Sequence, residues 1–125
     1  MVQNNEPRIK AFRKLLVWQK AHQLVLLVYR MVRKFPKNEM FGLTSPLQRA
    51  AVSVPANLAE GYGSGSSVQF GRYMNISRGS LAEVEYYLIL AQDLEYISQE
   101  DYKQAEDLRS EVGFLLSRLI AKVRK

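Results

Sequence analysis

Apolar residues in this chain recur at spacings of three and four almost from end to end, and no segment sustains the period-two alternation of a half-buried strand. That repeat belongs to the α-helix, so the chain is read as all-α. Trp18, Ala21, Val25, Val28 and Val32 share one face of a helix expected from about Lys14 to Lys34. Leu24, Leu27, Met31 and Phe35 form a second stripe beside it. A helix with two apolar stripes has to bury both. It sits centrally in a bundle, or it turns one face inward and the other against a second subunit.

Pro36 disfavours helical geometry at Phe35 and ends this first helix. Gly42 to Gly61 then reads GLTSPLQRAAVSVPANLAEG, a small-residue-rich helix with Thr44 or Ser45 as N-cap and Pro46 in the first turn. Leu47, Ala50, Ala51, Val54 and Leu58 make its stripe. Pro55 cannot donate to the Ala51 carbonyl, so a kink is expected there, with the Ser53 or Asn57 side chain or water as a partner for the freed carbonyl. After the glycine-rich link Gly61–Ser66, Ser66 and Gln69 form a capping-box pattern that opens a third helix, expected from Ser67 to Tyr96. Phe70, Tyr73, Ser77, Leu81, Val84, Leu88 and Ala91 line one of its faces; Ile76, Tyr87, Leu90, Leu94 and Ile97 line another. Gly79 and Ser80 suggest a close helix crossing. Ser98 with Asp101 resembles a further cap, and Ala105, Leu108, Val112, Leu115, Leu119 and Val123 carry a fourth helix to the C-terminus.

Four helices with short links favour one domain over residues 1–125, an up-down-up-down antiparallel four-helix bundle, with residues 1–7 frayed. The 125 residues are enough for a core without staples, and cysteine is absent, so disulfides and thiolate chemistry are excluded. The longest purely apolar run, Leu24–Tyr29, is far short of the roughly 20 residues of a membrane span. The N-terminus lacks a signal-peptide pattern, and a cytoplasmic protein is expected.

Charge is distributed unevenly. The formal net charge is +6. Residues 1–37 hold nine basic residues against Glu6 alone, whereas residues 80–111 hold nine acidic residues against Lys103 and Arg109. In an up-down bundle the start of helix one, the end of helix two, the start of helix three and the end of helix four share a pole. Arg8, Lys10, Arg13, Lys14, Lys20, Arg72, Arg118, Lys122, Arg124 and Lys125 would gather there, a footprint suited to phosphate. Tyr62 and Phe12 could add stacking to a single strand. The plain alternative is a solvated surface that keeps the protein soluble.

Enzymatic constellations are missing. His22 is the single histidine, no Gly-x-Ser-x-Gly elbow occurs, and the Glu-x-x-His pairs of di-iron bundles are absent. Gly61-x-Gly63-x-Gly65 has the wrong spacing for a nucleotide loop and follows a helix. No enzyme, metal or cofactor is expected. Asn57, Glu60, Arg72, Glu83 and Glu85 are the polar residues expected to approach the interior, with Glu60 and Arg72 as a structural pair fixing register.

Three stretches carry a family resemblance. They are Phe12-Arg13-Lys14-Leu15-Leu16-Val17-Trp18-Gln19-Lys20-Ala21-His22, Phe41-Gly42-Leu43-Thr44-Ser45, and Arg49-Ala50-Ala51-Val52-Ser53-Val54-Pro55-Ala56-Asn57-Leu58-Ala59-Glu60-Gly61. With Phe70-Gly71-Arg72-Tyr73 and Gly79-Ser80-Leu81-Ala82-Glu83-Val84-Glu85, the chain resembles the four-helix-bundle proteins encoded in 23S rRNA intervening sequences, from about Arg8 to Leu119. The resemblance implies an antiparallel bundle assembling into a ring, commonly a homopentamer, and an association with ribosomal RNA genes. Pro46 and Gln48 depart from a usual glutamine and arginine, and Ser64 from a frequent basic residue; both departures lower positive charge. The expectation is a non-enzymatic homo-oligomer associating with rRNA or other nucleic acid through its basic pole. A protein-interaction scaffold or accessory subunit without direct nucleic-acid binding is the alternative, and a small ligand near Asn57 and Glu60 the third reading.

Overall fold

The structure, a computed structural model, describes residues 8–124, with side chains from residue 11 onward. The expectation of a frayed segment 1–7 falls outside the described residues. Four α-helices account for most of the chain: α1 Leu16–Met31, α2 Ser45–Gly63, α3 Ser67–Asp93 and α4 Gln99–Val123. No strand occurs among the described residues.

Side-chain pairs give the relative direction of neighbouring helices. Tyr73, Ser77 and Ser80 of α3 bond Glu60, Val54 and Ser53 of α2 in turn, so the two helices run antiparallel. On α4, Arg109 meets Glu85 of α3 and Gly113 lies against Leu81, again antiparallel. Lys20 and Lys34 of the α1 region pair with Glu111 and Asp101, which closes the four-helix bundle.

The expected first helix is divided. Residues Arg8–Lys14 form a 3₁₀ segment, and Leu15 is extended (φ −73°, ψ 125°), so α1 begins only at Leu16. Folding back at Leu15 lets Phe12 lie on Trp18, ring centroids 5.0 Å apart, while the Gln19 side chain donates to the Arg13 carbonyl. A second 3₁₀ turn, Val32–Lys34, leads to extended Phe35 and Pro36. Both apolar stripes of α1 lie in one core: Ala21, Leu24 and Val28 are fully buried, and Leu27, Met31 and Phe35 nearly so. The second stripe therefore does not await another subunit. Leu26 and Tyr29 are the α1 residues of this kind left exposed past the first turn.

The start of α2 also differs from expectation. Thr44 is helical and buried and makes no side-chain cap; the chain enters through a π-helical turn, Met40–Thr44. Pro46 lies in the first turn, where its missing N–H costs little. Pro55 lies inside α2, which continues as one helix to Gly63. Asn57 does not serve the Ala51 carbonyl, because its amide donates to the carbonyl and hydroxyl of Ser53.

At Gly61, α2 and α3 approach each other closely. A β-carbon there would stand 2.6 Å from Cβ of Tyr73. Gly79 is not at a crossing, since a β-carbon on it would meet open space. The buried contact belongs instead to Ser77 and Ser80, whose hydroxyls donate to the Val54 carbonyl and the Ser53 hydroxyl. Ser66 and Ser98 cap α3 and α4 by accepting from the N–H groups of Gln69 and Asp101. The third helix stops short of Tyr96 in a Schellman turn: Tyr96 N–H donates to Ala91, Glu95 N–H to Gln92, and Glu95 holds φ 63°.

Candidate nucleic-acid interface

One end of the bundle gathers the start of α1, the end of α2, the start of α3 and the end of α4. A groove of about 450 Å³ crosses it, lined by Leu15 just before α1 and by residues of the other three helices, among them Tyr62, Phe70, Leu119, Lys122 and Val123. The groove follows from local sequence. Gly61 lets α2 and α3 close tightly, and Gly65 at φ 74° with the Ser64 hydroxyl bonded to the Gly61 carbonyl turns the chain in a short link. Tyr62 and Phe70 meet edge to face across that link at 5.6 Å.

Two further grooves flank the first, and each shares residues with it. On one side Leu16, Leu115 and Arg118 join Leu15, Leu119 and Lys122. On the other, Val68, Arg72 and Arg124 join Ser67 and Val123. Among the described residues, no aspartate or glutamate lines any of the three. Arg72, Lys122 and Arg124 are exposed and make no ion pair among the described residues, so their charge faces solvent.

The expected basic cluster is thus brought together in part. Arg118 lies over the Phe114 ring at 5.6 Å and Arg13 over Trp18 at 6.0 Å, the guanidinium in each case resting on an aromatic face. Lys14 is exposed beside Arg13. Lys20 pairs with Glu111 at 3.5 Å, so its charge is partly answered within the fold. The side chains of Arg8 and Lys10, and Lys125 entirely, lie outside the described residues.

The Glu60–Arg72 pair is not formed. Glu60 accepts from the Tyr73 hydroxyl at 3.2 Å, and its charge raises the phenol's pKa above the usual tyrosine range. Successive helical residues are turned about 100° apart. Tyr73 therefore faces α2 while Arg72 looks out onto the groove it shares with Arg124. Glu60 and Glu83 are exposed and Glu85 is half-buried, with Arg109 3.4 Å away; the buried polar side chains are Thr44, Ser77 and Ser80. Asn57 and Glu60 both find partners inside the protein, which weighs toward a structural role for them. No group of residues suited to a metal ion occurs among the described residues.

Two features were not singled out as functional from sequence. His22 stacks on Trp18, rings 5.2 Å apart and 9° from parallel, extending the Phe12–Trp18 contact; the i, i+4 spacing was the available signal. Leu16 and Val68 lie exposed on the banks of the outer grooves, which spacing alone does not foretell.

A four-helix bundle with apolar grooves and a basic rim at one end defines a class of small helical proteins rather than an activity. Within that class, the chain belongs to the 23S rRNA-intervening sequence protein family, whose profile it matches over residues 13–118. A crystal structure from Bacteroides thetaiotaomicron, described as a protein with unknown function from the S23 ribosomal protein family, is similar with a TM-score of 0.78. The two share 24% sequence identity, over 85% of this chain and 96% of that one, a likeness that speaks for the fold. No curated protein matched the sequence. No helix among the described residues is long and apolar enough to cross a membrane.

Proposed function

We propose that this protein is a binding protein rather than an enzyme, a homo-oligomer that associates with RNA through its basic pole. The observation that carries the reading is the run of Arg118, Lys122, Arg124 and Arg72 around grooves that no acidic side chain among the described residues lines. Such cations displace counterions from phosphate, and affinity then falls steeply with salt. The family's name favours ribosomal RNA as the partner. In a ring, pentameric or otherwise, the poles would repeat along one rim and weak contacts would gain avidity.

Self-association is supported by a different surface. Phe41 is 89% exposed, one turn before Ser45, and Tyr29 and Val52 flank a shallow groove that Ser45 also lines. Where exposed aromatic and aliphatic groups adjoin in a patch, they suit contact with a second copy of the chain. Binding to an rRNA fragment across a salt series, with particle mass from light scattering, tests both parts. A multi-subunit particle whose affinity drops steeply with salt, and less steeply in Lys122→Ala, agrees with the reading. Absence of binding at low salt removes RNA as the partner and leaves an oligomeric scaffold; a monomer at micromolar concentration removes the ring.

A further inference from the structure

Resting on the RNA reading, the geometry points to a more specific ligand: we infer that the pole takes unpaired RNA, with bases lodged in the grooves and phosphates on the rim. The three grooves adjoin and together make up a furrow across the pole, each neighbouring pair sharing lining residues: Leu15, Leu119 and Lys122 on one side, Ser67 and Val123 on the other. Leucines, Tyr62, Phe70 and Val123 line the first two grooves and Val68 and Val123 the third, and Arg118, Lys122, Arg72 and Arg124 line them alongside these apolar groups. A paired A-form helix offers phosphates and a shallow groove but keeps its base faces stacked inside. It would meet the rim and leave the apolar walls facing water. An unpaired strand presents both chemistries in alternation, flat apolar bases and charged phosphates, and single-strand sites pair the same two elements. Tyr62, half-buried against Phe70, supplies the aromatic surface in the central groove. The central volume of about 450 Å³ lies in the range that admits a small organic group such as a base.

Apolar and basic groups together also suit an anionic membrane surface, but the arrangement here differs from that of a surface-lying helix. Interfacial helices lie flat and bury one apolar face along their length. Here the four helices meet the pole end-on, and its apolar residues are drawn from the ends of all four rather than from one helix face. Unpaired RNA is the better match to a furrow.

The test compares a labelled oligouridylate with a fully paired RNA hairpin carrying the same number of phosphates, by fluorescence anisotropy on the full-length protein across a salt series. The wild-type protein should bind the unpaired strand more tightly. Tyr62→Leu keeps the apolar bulk and removes the ring; it should cost roughly tenfold in single-strand affinity, on the scale of one lost stacking contact, with the salt slope unchanged. Val123→Asn, at the junction of two grooves, should act in the same direction, and thermal melts establish that each variant is folded. Hairpin binding should stay unchanged in both variants. Equal or tighter binding of the hairpin, or folded variants of wild-type affinity, overturns the furrow as a base site while leaving charge-driven RNA binding in place. Loss of all RNA binding at low salt overturns both, and capture by vesicles containing phosphatidylglycerol would then assign the pole to a lipid surface.

Discussion

Glycines of identical composition do opposite things in this chain. At Gly61 the α2–α3 approach leaves no room for a methyl group, with Tyr73 Cβ at 2.6 Å and the Phe70 backbone at 3.3 Å. Gly61→Ala should destabilise the protein by about 1–3 kcal/mol, the usual cost of overpacking, measured by urea unfolding. Gly79 faces open space in mid-helix, so Gly79→Ala should stabilise by about 1 kcal/mol through helix propensity. Reversal of the two signs would mean that α3 is displaced relative to α2. Glu95 presents the converse case, a residue with a side chain held at φ 63° where helices usually place glycine. Glu95→Gly should raise the unfolding free energy by about 1 kcal/mol by relieving the left-handed strain. These positions were only partly legible in the sequence. In the sequence Gly61 reads only as the close of a helix and the start of a glycine-rich link, because spacing along one helix does not disclose which helix lies against it.

Helix starts divide into those written locally and those set by distant contacts. Ser66 and Ser98 cap their helices through bonds within three residues, and the sequence pattern was sufficient. Thr44 looked equally good, yet the π turn before α2 is held from elsewhere: Glu39 accepts from Tyr96, far along the chain, and reaches over Gly42. A contact separated by so many residues leaves no local signature. The start of α4 is tied in turn to the end of α1. The hydrogen bond from Lys34 at 2.6 Å, together with that ammonium's charge, holds the Asp101 carboxyl below the usual range. A carboxyl depressed in the folded state stabilises the fold above its unfolded pKa, and that contribution disappears as pH falls through the folded pKa. Thermal midpoints of the wild type should therefore fall more steeply between neutral pH and about pH 2 than those of Asp101→Asn. Parallel acid limbs in the two proteins would show that the pair contributes nothing.

For the whole molecule, fold and function were legible to different degrees. Helical period gave four helices, but it could not tell an internal stripe from one meant for a neighbour, because both obey the same spacing. Both stripes of α1 proved to be internal, and the surface left for assembly is the less regular set that includes Tyr29, Val52 and Phe41. If these residues join subunits, Phe41→Ser should convert the assembly to smaller species without lowering the monomer's helicity, read by light scattering and circular dichroism. An unchanged particle mass would place the interface elsewhere. The basic pole was anticipated from topology and charge. The orientation of Arg72, the pairing of Lys20 and the apolar furrow were not, since each depends on which way a side chain turns.

The antiparallel arrangement has a further consequence for this end of the molecule. Two helices begin there and two finish, so their backbone dipoles oppose one another and contribute little net field. The pole's electrostatic character therefore resides in a handful of exposed side chains outside the core. Reversing the sign of that end would require only surface substitutions and would leave the packing of the bundle intact. Within one unchanged scaffold, affinity for an anionic partner is thus free to strengthen, fade or change target as the sequence drifts.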